Sequence, residues 1–347
     1  MAPETHLVGI ARLAAAAETL ARKERVVYRE LLTRRFLTRC RSNRVPFDWT
    51  VNPYRGCEFG CAYCYARYTH EFMELRDPHQ FETDIFAKQW SAAAFRQELS
   101  AVRRGQWIAI GTATDPYQPA ERRYRLTRRL HETLAGERRL RISVTTKSDL
   151  VTRDIDVLSR IARNNILHVA LTITTADAAL ARLLEPYAPR PGLRFQAVRR
   201  LSDAGLRVAV LVCPLMPLLN DSEESLDRLA ALAREHGAAS FAGGVVFLKP
   251  CTHEVFFSLL DRSFPHLAGR YRARFCRHAF LTGDYPDRIA ARLERARGRH
   301  GLDRRFPDYQ PAEWAAEEQL SLPFPEPTRP AIGLSTKSTC QDYPLPL

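Results

Sequence analysis

The sequence predicts an α/β fold, built on either an open parallel sheet or a partial barrel, and three observations predict it. From Gln106 onward, β-branched runs alternate with segments of helical period. Runs such as Val208-Ala209-Val210-Leu211-Val212 are apolar throughout, as a parallel strand covered by helices on both faces has to be. Several of these runs end in polar residues, at the C-terminal ends where such folds place their chemistry. With 45% apolar and 26% charged residues over 347 positions, the chain can bury a core, which excludes a disordered or collagenous protein.

In order along the chain, residues 1–44 read as an Ala-rich helix followed by a basic segment, and a strand around Trp49–Asn52 opens the regular part. Strands follow at Trp107–Thr114, Arg141–Thr146, His168–Thr174, Arg207–Leu215 and Phe241–Leu248. Helices lie between them near Glu121–Ala135, Asp154–Arg163, Ala176–Leu184 with Leu193–Ala204, and Ser222–Glu235. That makes six βα units within residues 45–250. Residues 251–320 read as a helical extension carrying Cys276 and His278. Residues 321–347, with Pro323, Pro325, Pro327, Pro330, Pro344 and Pro346 among few apolar residues, read as a flexible tail.

The formal charge is +13, from 52 Lys+Arg against 39 Asp+Glu, and basic residues crowd Arg122–Arg141 and Arg288–Arg305. That balance suits a nucleic-acid partner. Only Lys23, Lys88, Lys147, Lys249 and Lys337 are lysines, however, and a skew toward arginine also follows from GC-rich coding. The longest apolar run, Val208–Leu219, is interrupted by Pro214 and Pro217, and no run reaches the roughly 18 residues of a membrane span. The start, Met1-Ala2-Pro3-Glu4-Thr5-His6, lacks the basic region of a secretory signal. Eight cysteines in such a chain are expected as thiols or metal ligands in a reducing cytoplasm.

The strand ends read Thr112-Ala113-Thr114-Asp115, Thr145-Thr146-Lys147-Ser148, Thr172-Ile173-Thr174-Thr175 and Pro214-Leu215-Met216-Pro217. Any one hydroxyl there also serves as a helix cap, whereas a lysine at such a mouth is costly to bury unpaired. The sharpest signal is Asn52-Pro53-Tyr54-Arg55-Gly56-Cys57-Glu58-Phe59-Gly60-Cys61-Ala62-Tyr63-Cys64, which presents three thiols in one short loop relieved by two glycines. Three thiolates suit an iron–sulfur cluster with one iron left open. With His70 as fourth ligand they also suit a structural zinc, which would make the chain a non-catalytic nucleic-acid-binding protein carrying zinc or a cluster.

Cys57-x-x-x-Cys61-x-Tyr63-Cys64 resembles the signature of radical S-adenosylmethionine (radical SAM) enzymes. The combination of Asn52–Cys57, Gly111–Pro119, Thr146-Lys147-Ser148 and Arg153-Asp154 is similar to the spore photoproduct lyase-like (SPL) family, over about residues 45 to 250. The resemblance implies a partial (β/α)6 radical SAM barrel with an N-terminal helical segment and a C-terminal helical extension. It implies Cys57, Cys61 and Cys64 as ligands of a [4Fe–4S] cluster, whose open iron holds the amino and carboxylate groups of S-adenosylmethionine (SAM). It also implies a SAM pocket of Tyr63, Thr112, Thr114, Asp115, Lys147, Thr172 and Thr174, and a reductant such as flavodoxin or ferredoxin. The substrate stays open, and the basic surface suits a nucleic acid or phosphorylated compound. Gly111-Thr112-Ala113-Thr114 holds no cysteine where spore photoproduct lyase is similar but carries one, so efficient repair of the spore thymine dimer is not expected.

Overall fold

The computed structural model describes residues 7–306 except 34, 43 and 44, together with 309–311 and 314. The tail at 321–347 and Cys340 lie outside the described residues. The strands, in chain order, are β1 (Thr19–Arg22), β2 (Val27–Leu31), β3 (Leu37–Arg39), β4 (Trp49–Val51), β5 (Tyr54–Arg55), β6 (Asp84–Lys88), β7 (Trp107–Ile110), β8 (Arg141–Thr146), β9 (Ile166–Thr172), β10 (Val208–Leu215) and β11 (Ser240–Val245).

Seven of them form one sheet in the order β11-β10-β9-β8-β7-β4-β3, in which every neighbouring pair from β4 to β11 is parallel and β3 runs antiparallel to β4. These six parallel strands are the six that the sequence predicts. The sheet is not closed, so the fold is α/β with a partial barrel. β7 stops four residues short of its predicted end, because Gly111 (φ +89°) turns the chain aside.

The crossover helices are Leu126–Leu134, Ile155–Asn164, Ala178–Leu184 with Pro191–Asp203, and Glu223–Glu235. They bury their apolar stripes against the sheet in one cluster that includes Leu130, Leu134, Leu158, Ile161, Val198, Leu226 and Leu229. The single helix expected over Glu121–Ala135 breaks at Arg125, which is left-handed at φ 54°. The Glu121 carboxylate accepts hydrogen bonds from the backbone N–H groups of Thr127 (2.9 Å) and Arg128 (3.2 Å), so it caps the second piece.

The N-terminal segment departs from expectation. Helix is confined to Gly9–Ala15, and the basic stretch after it forms strands. In β2, Tyr28 and Leu31 are buried while Arg29 and Glu30 are half-buried, so charged residues sit on a strand within what the sequence reads only as a basic segment. A second sheet, β1-β2-β6-β5, results.

Helices Pro250–Ser263 and Pro265–Phe275 form the C-terminal extension, and their apolar faces pack with Cys57, Cys61 and Tyr63 in a second core cluster. After the helix Tyr285–His300, Asp303 pairs in parallel with Ser240 at the free side of β11. No described helix is long and apolar enough to cross a membrane.

Candidate functional site

The cysteine loop leaves the C-terminal end of β4 and is tied to its neighbours at nearly every turn. The Asn52 side chain donates to Thr112 Oγ1 (3.1 Å) and accepts from Ala113 N (2.8 Å), joining the ends of β4 and β7. The Gly56 carbonyl accepts from Thr114 Oγ1 (2.6 Å) and Gln118 Nε2 (3.0 Å), while the Cys57 N–H donates to the Phe81 carbonyl (2.8 Å). Gly56 has φ +79°, and a Cβ there would stand 2.8 Å from the carbonyl oxygens of Asp84 and Phe81, so only glycine fits. Glu58, buried, accepts from Tyr28 Oη (2.8 Å) and Ala120 N (2.7 Å).

Cys57 and Cys61 are buried, Cys64 is partly buried, and all seven described cysteines are free thiols. The three loop thiols lie near enough that charge on one raises the pKa of another. Burial is the larger effect: it pushes Cys61 up to about 12, against the opposing pull of Lys147, and Cys64 up against that of Arg67. Such thiols stay protonated at neutral pH unless a metal takes the proton's place.

Beside them lies a buried polar network. Glu185 accepts from Tyr63 Oη and from Thr174 Oγ1 (2.9 Å) and pairs with Arg194 at 2.5 Å. Arg194 also donates to the carbonyls of Thr172 (3.0 Å) and Pro189 (2.7 Å). Burial opposes the Glu185 charge, but Arg194 and Lys147 outweigh it and hold its carboxyl below the usual range. Lys147 Nζ lies 5.7 Å from the centre of the Tyr63 ring. Burial works against its charge too, while negative charge on Cys61, as it carries once a metal takes its proton, and on Glu185 favours the ammonium.

The predicted residues thus converge on the C-terminal ends of β4, β7, β8 and β9, with different duties. The polar atoms of Thr114 and Asp115 are committed to the protein itself: Asp115 accepts from Thr146 Oγ1 (2.6 Å), Lys147 N (2.7 Å) and Tyr117 N (2.9 Å). Thr172 is buried at the end of β9 and Thr112 is half-buried beyond β7. Sequence reasoning missed Glu185 and Arg194, and it held Asn52 and Gln118 only as members of motifs, without a role. The Asn220 amide donates to the Thr174 carbonyl (2.8 Å), tying the turn after β10 to the end of β9.

The zinc alternative does not assemble. His70 faces away, its Nε2 bonded to the Asp84 carbonyl (3.0 Å). Among the described residues, no three of His, Cys, Asp and Glu stand together as ligands of a single metal ion. A polynuclear cluster needs more widely spaced sulfurs, and three free thiols on one loop, two of them buried and one partly buried, fit it.

Comparison with known proteins agrees. The chain is 35% identical over 253 residues to the uncharacterized protein Rv2578c of Mycobacterium tuberculosis, covering 72% of this chain and 73% of that one. Spore photoproduct lyase complexed with dinucleoside spore photoproduct has the same fold, with a TM-score of 0.56 at 12% identity, covering 80% of this chain and 82% of the other. A single-residue variant of that lyase gives 0.58 at 13% identity with the same coverage. The model of the radical SAM superfamily matches residues 51–230. That match takes in the cysteine loop and the parallel strands β7 to β10, and the chain belongs to this superfamily of enzymes, which work with a [4Fe–4S] cluster and S-adenosylmethionine.

Proposed function

We propose that Cys57, Cys61 and Cys64 hold the cluster, and that Tyr63, Thr112, Lys147, Thr172 and Thr174 form the wall against which SAM lies, with Thr114 and Asp115 bracing it. One observation carries this reading: three free thiols share a single loop at the C-terminal ends of the parallel strands, and Lys147 lies within electrostatic reach of two of them, Cys61 and Cys64. When bound, the cluster and SAM supply reductive carbon–sulfur cleavage to a 5′-deoxyadenosyl radical that abstracts hydrogen from the substrate. The chain's own residues position and shield. Thr114 and Gln118 fix the loop through the Gly56 carbonyl, and Asp115 fixes the backbone of Lys147. The Lys147 ammonium is placed to bond a carboxylate or ribose oxygen. Leu248, Phe256 and Met216, buried against the loop, keep water from the thiols. An electron donor such as flavodoxin or ferredoxin supplies the reducing equivalent.

Spore photoproduct lyase in its complex binds a dinucleoside lesion, and a nucleic acid or phosphorylated compound is the substrate class we favour here. The segment Thr112–Asp115 has no thiol, so efficient conversion of the spore thymine dimer is not part of the proposal. The test is anaerobic purification followed by iron analysis and a 5′-deoxyadenosine assay with dithionite. Cys57→Ala, Cys61→Ala and Cys64→Ala should each lose most iron and all SAM cleavage, while Cys40→Ala and Cys340→Ala retain both. Normal iron and turnover in any of the first three refutes the assignment.

A further inference from the structure

One side of the cysteine loop comes to the surface at Tyr187. A Cβ on Gly60, which lies between Cys57 and Cys61, would stand 2.9 Å from the Tyr187 ring, so the ring rests on the loop backbone. The Tyr187 N–H donates to the Phe59 carbonyl (3.3 Å) and the Ala62 N–H to the Leu184 carbonyl (3.0 Å), which fixes residues 184–187 along the loop. Tyr187 is nevertheless 47% exposed, and Leu183 is 41% exposed. A single ring therefore separates solvent from the backbone that carries two of the three thiols. Electron tunnelling slows steeply with distance, so a reductant has to dock where the loop lies this close to the surface.

Cations from two distant stretches of chain surround that ring. The Arg25 guanidinium, from the turn between β1 and β2, stands 3.7 Å from the Tyr187 ring centre, and Arg182 Nη1 donates to the adjoining Pro186 carbonyl (2.6 Å). Arg190 lines the same small depression as Arg182, and Arg22 and Lys23 lead into the turn that holds Arg25. All five are exposed. The acids near them are fewer: Glu24 is exposed on the same turn, Glu58 is buried and pairs with Lys23 at 3.8 Å, and Glu185 is buried and taken by Arg194. Among the described residues, Arg22, Arg25, Arg182 and Arg190 have no ion-pair partner. An exposed apolar centre ringed by charge of one sign suits a protein of the opposite sign.

We propose that Tyr187 and Leu183, framed by Arg22, Arg25, Arg182 and Arg190, form the surface on which an acidic electron-carrier protein of the flavodoxin type docks to reduce the cluster. The inference rests on the functional reading above and locates its electron donor. One electron leaves the carrier's reduced flavin and one enters the oxidised cluster, and no bond of this chain forms or breaks. Electron-transfer contacts are small and short-lived, and a patch of six side chains is enough for one.

Calorimetric titration of a bacterial flavodoxin into the iron-loaded protein tests the surface, and 5′-deoxyadenosine formation driven by reduced flavodoxin or by dithionite tests its use. Binding should weaken at least about tenfold between about 20 mM and about 200 mM salt. Arg25→Glu combined with Arg182→Glu should weaken binding at least about tenfold and slow the flavodoxin-driven reaction, with iron content and the dithionite-driven rate unchanged. Arg228→Glu combined with Arg234→Glu makes the same charge change on the helix Glu223–Glu235 and should alter neither. If the first pair loses iron, Arg22→Glu with Arg190→Glu takes its place. Unaltered flavodoxin binding in the patch variants overturns the proposal, and so does an equal loss in the control pair, which would assign the effect to net charge. A short single-stranded DNA that alone loses affinity for the patch variants would assign these cations to nucleic acid and overturn it as well. Absent iron, or absent dithionite-driven SAM cleavage, in the wild type would instead overturn the functional reading, while the binding comparison still decides the surface.

Discussion

Lys147 is held by its backbone N–H to Asp115 and faces Tyr63 with its ammonium, so its removal should leave the cysteine loop in place. Lys147→Ala is expected to weaken SAM binding roughly ten- to a hundredfold, about 1.5–3 kcal/mol for one charge-assisted bond, with the iron content unchanged. Equilibrium titration with SAM reads this directly, and unaltered affinity would assign the lysine to the fold. Lys147 was legible in the sequence because it ends a β-branched run. Glu185 and Arg194 were not. They sit at the end of one helix and within the next, where alternating charge reads as a solvated face, and Glu185 is 122 positions from the Tyr63 hydroxyl it accepts from. Only the fold brings that carboxylate against the site.

The cysteine loop depends on backbone that a side chain would obstruct. In Gly56→Ala the new methyl meets two carbonyl oxygens at 2.8 Å with φ at +79°, so strain on the order of 2 kcal/mol and a lower iron content are expected. Gly192→Ala, on the helix Pro191–Asp203 with nothing within 4 Å of its Cβ position, is the control and should leave thermal stability and iron content unchanged or slightly improved. Melting curves and iron analysis compare the pair. At this scale β7, β9 and β10 were legible as largely apolar runs, β8 as a β-branched alternation closed by hydroxyls, and β4 from its place before the cysteine loop. β3 and β5 were not, since they span three and two residues, too few for any period to register. β2 escaped because its charged residues alternate imperfectly with its buried ones.

Over the whole molecule, acid should act through two buried histidines. His70 (1% exposed) and His131 (0%) are both lowered by burial to about 4. In the unfolded chain each takes its proton near pH 6.5, while in the folded protein each stays neutral until about pH 4. The stability they leave intact above about pH 6.5 is therefore lost as pH falls through that window, on the order of 3 kcal/mol apiece. Denaturant titrations should show the midpoint falling between about pH 7 and pH 5, and His131→Asn should flatten the decline. The basic stretches look different at this scale from their sequence. Arg292, Arg295, Arg297 and Arg299 are all paired with carboxylates, and Arg128 bridges Asp154 and Asp156, so much of the charge excess on those helices is already balanced. Composition counts charges but cannot pair them.

The pairing of Asp303 with Ser240 does more than extend the chain past its last helix. The Phe241 N–H donates to the Asp303 carbonyl (2.9 Å), and the Asp303 N–H donates to the Ala239 carbonyl (3.3 Å), so one donor and one acceptor at the start of β11 are occupied on its outer side. At the opposite margin β3 is only three residues long. An unclosed sheet normally offers its margins to other chains as templates for intermolecular strand addition, the first step toward aggregates. Here the start of one margin is covered by the chain itself and the other margin is three residues long, which leaves a strand from another molecule less open edge to pair with.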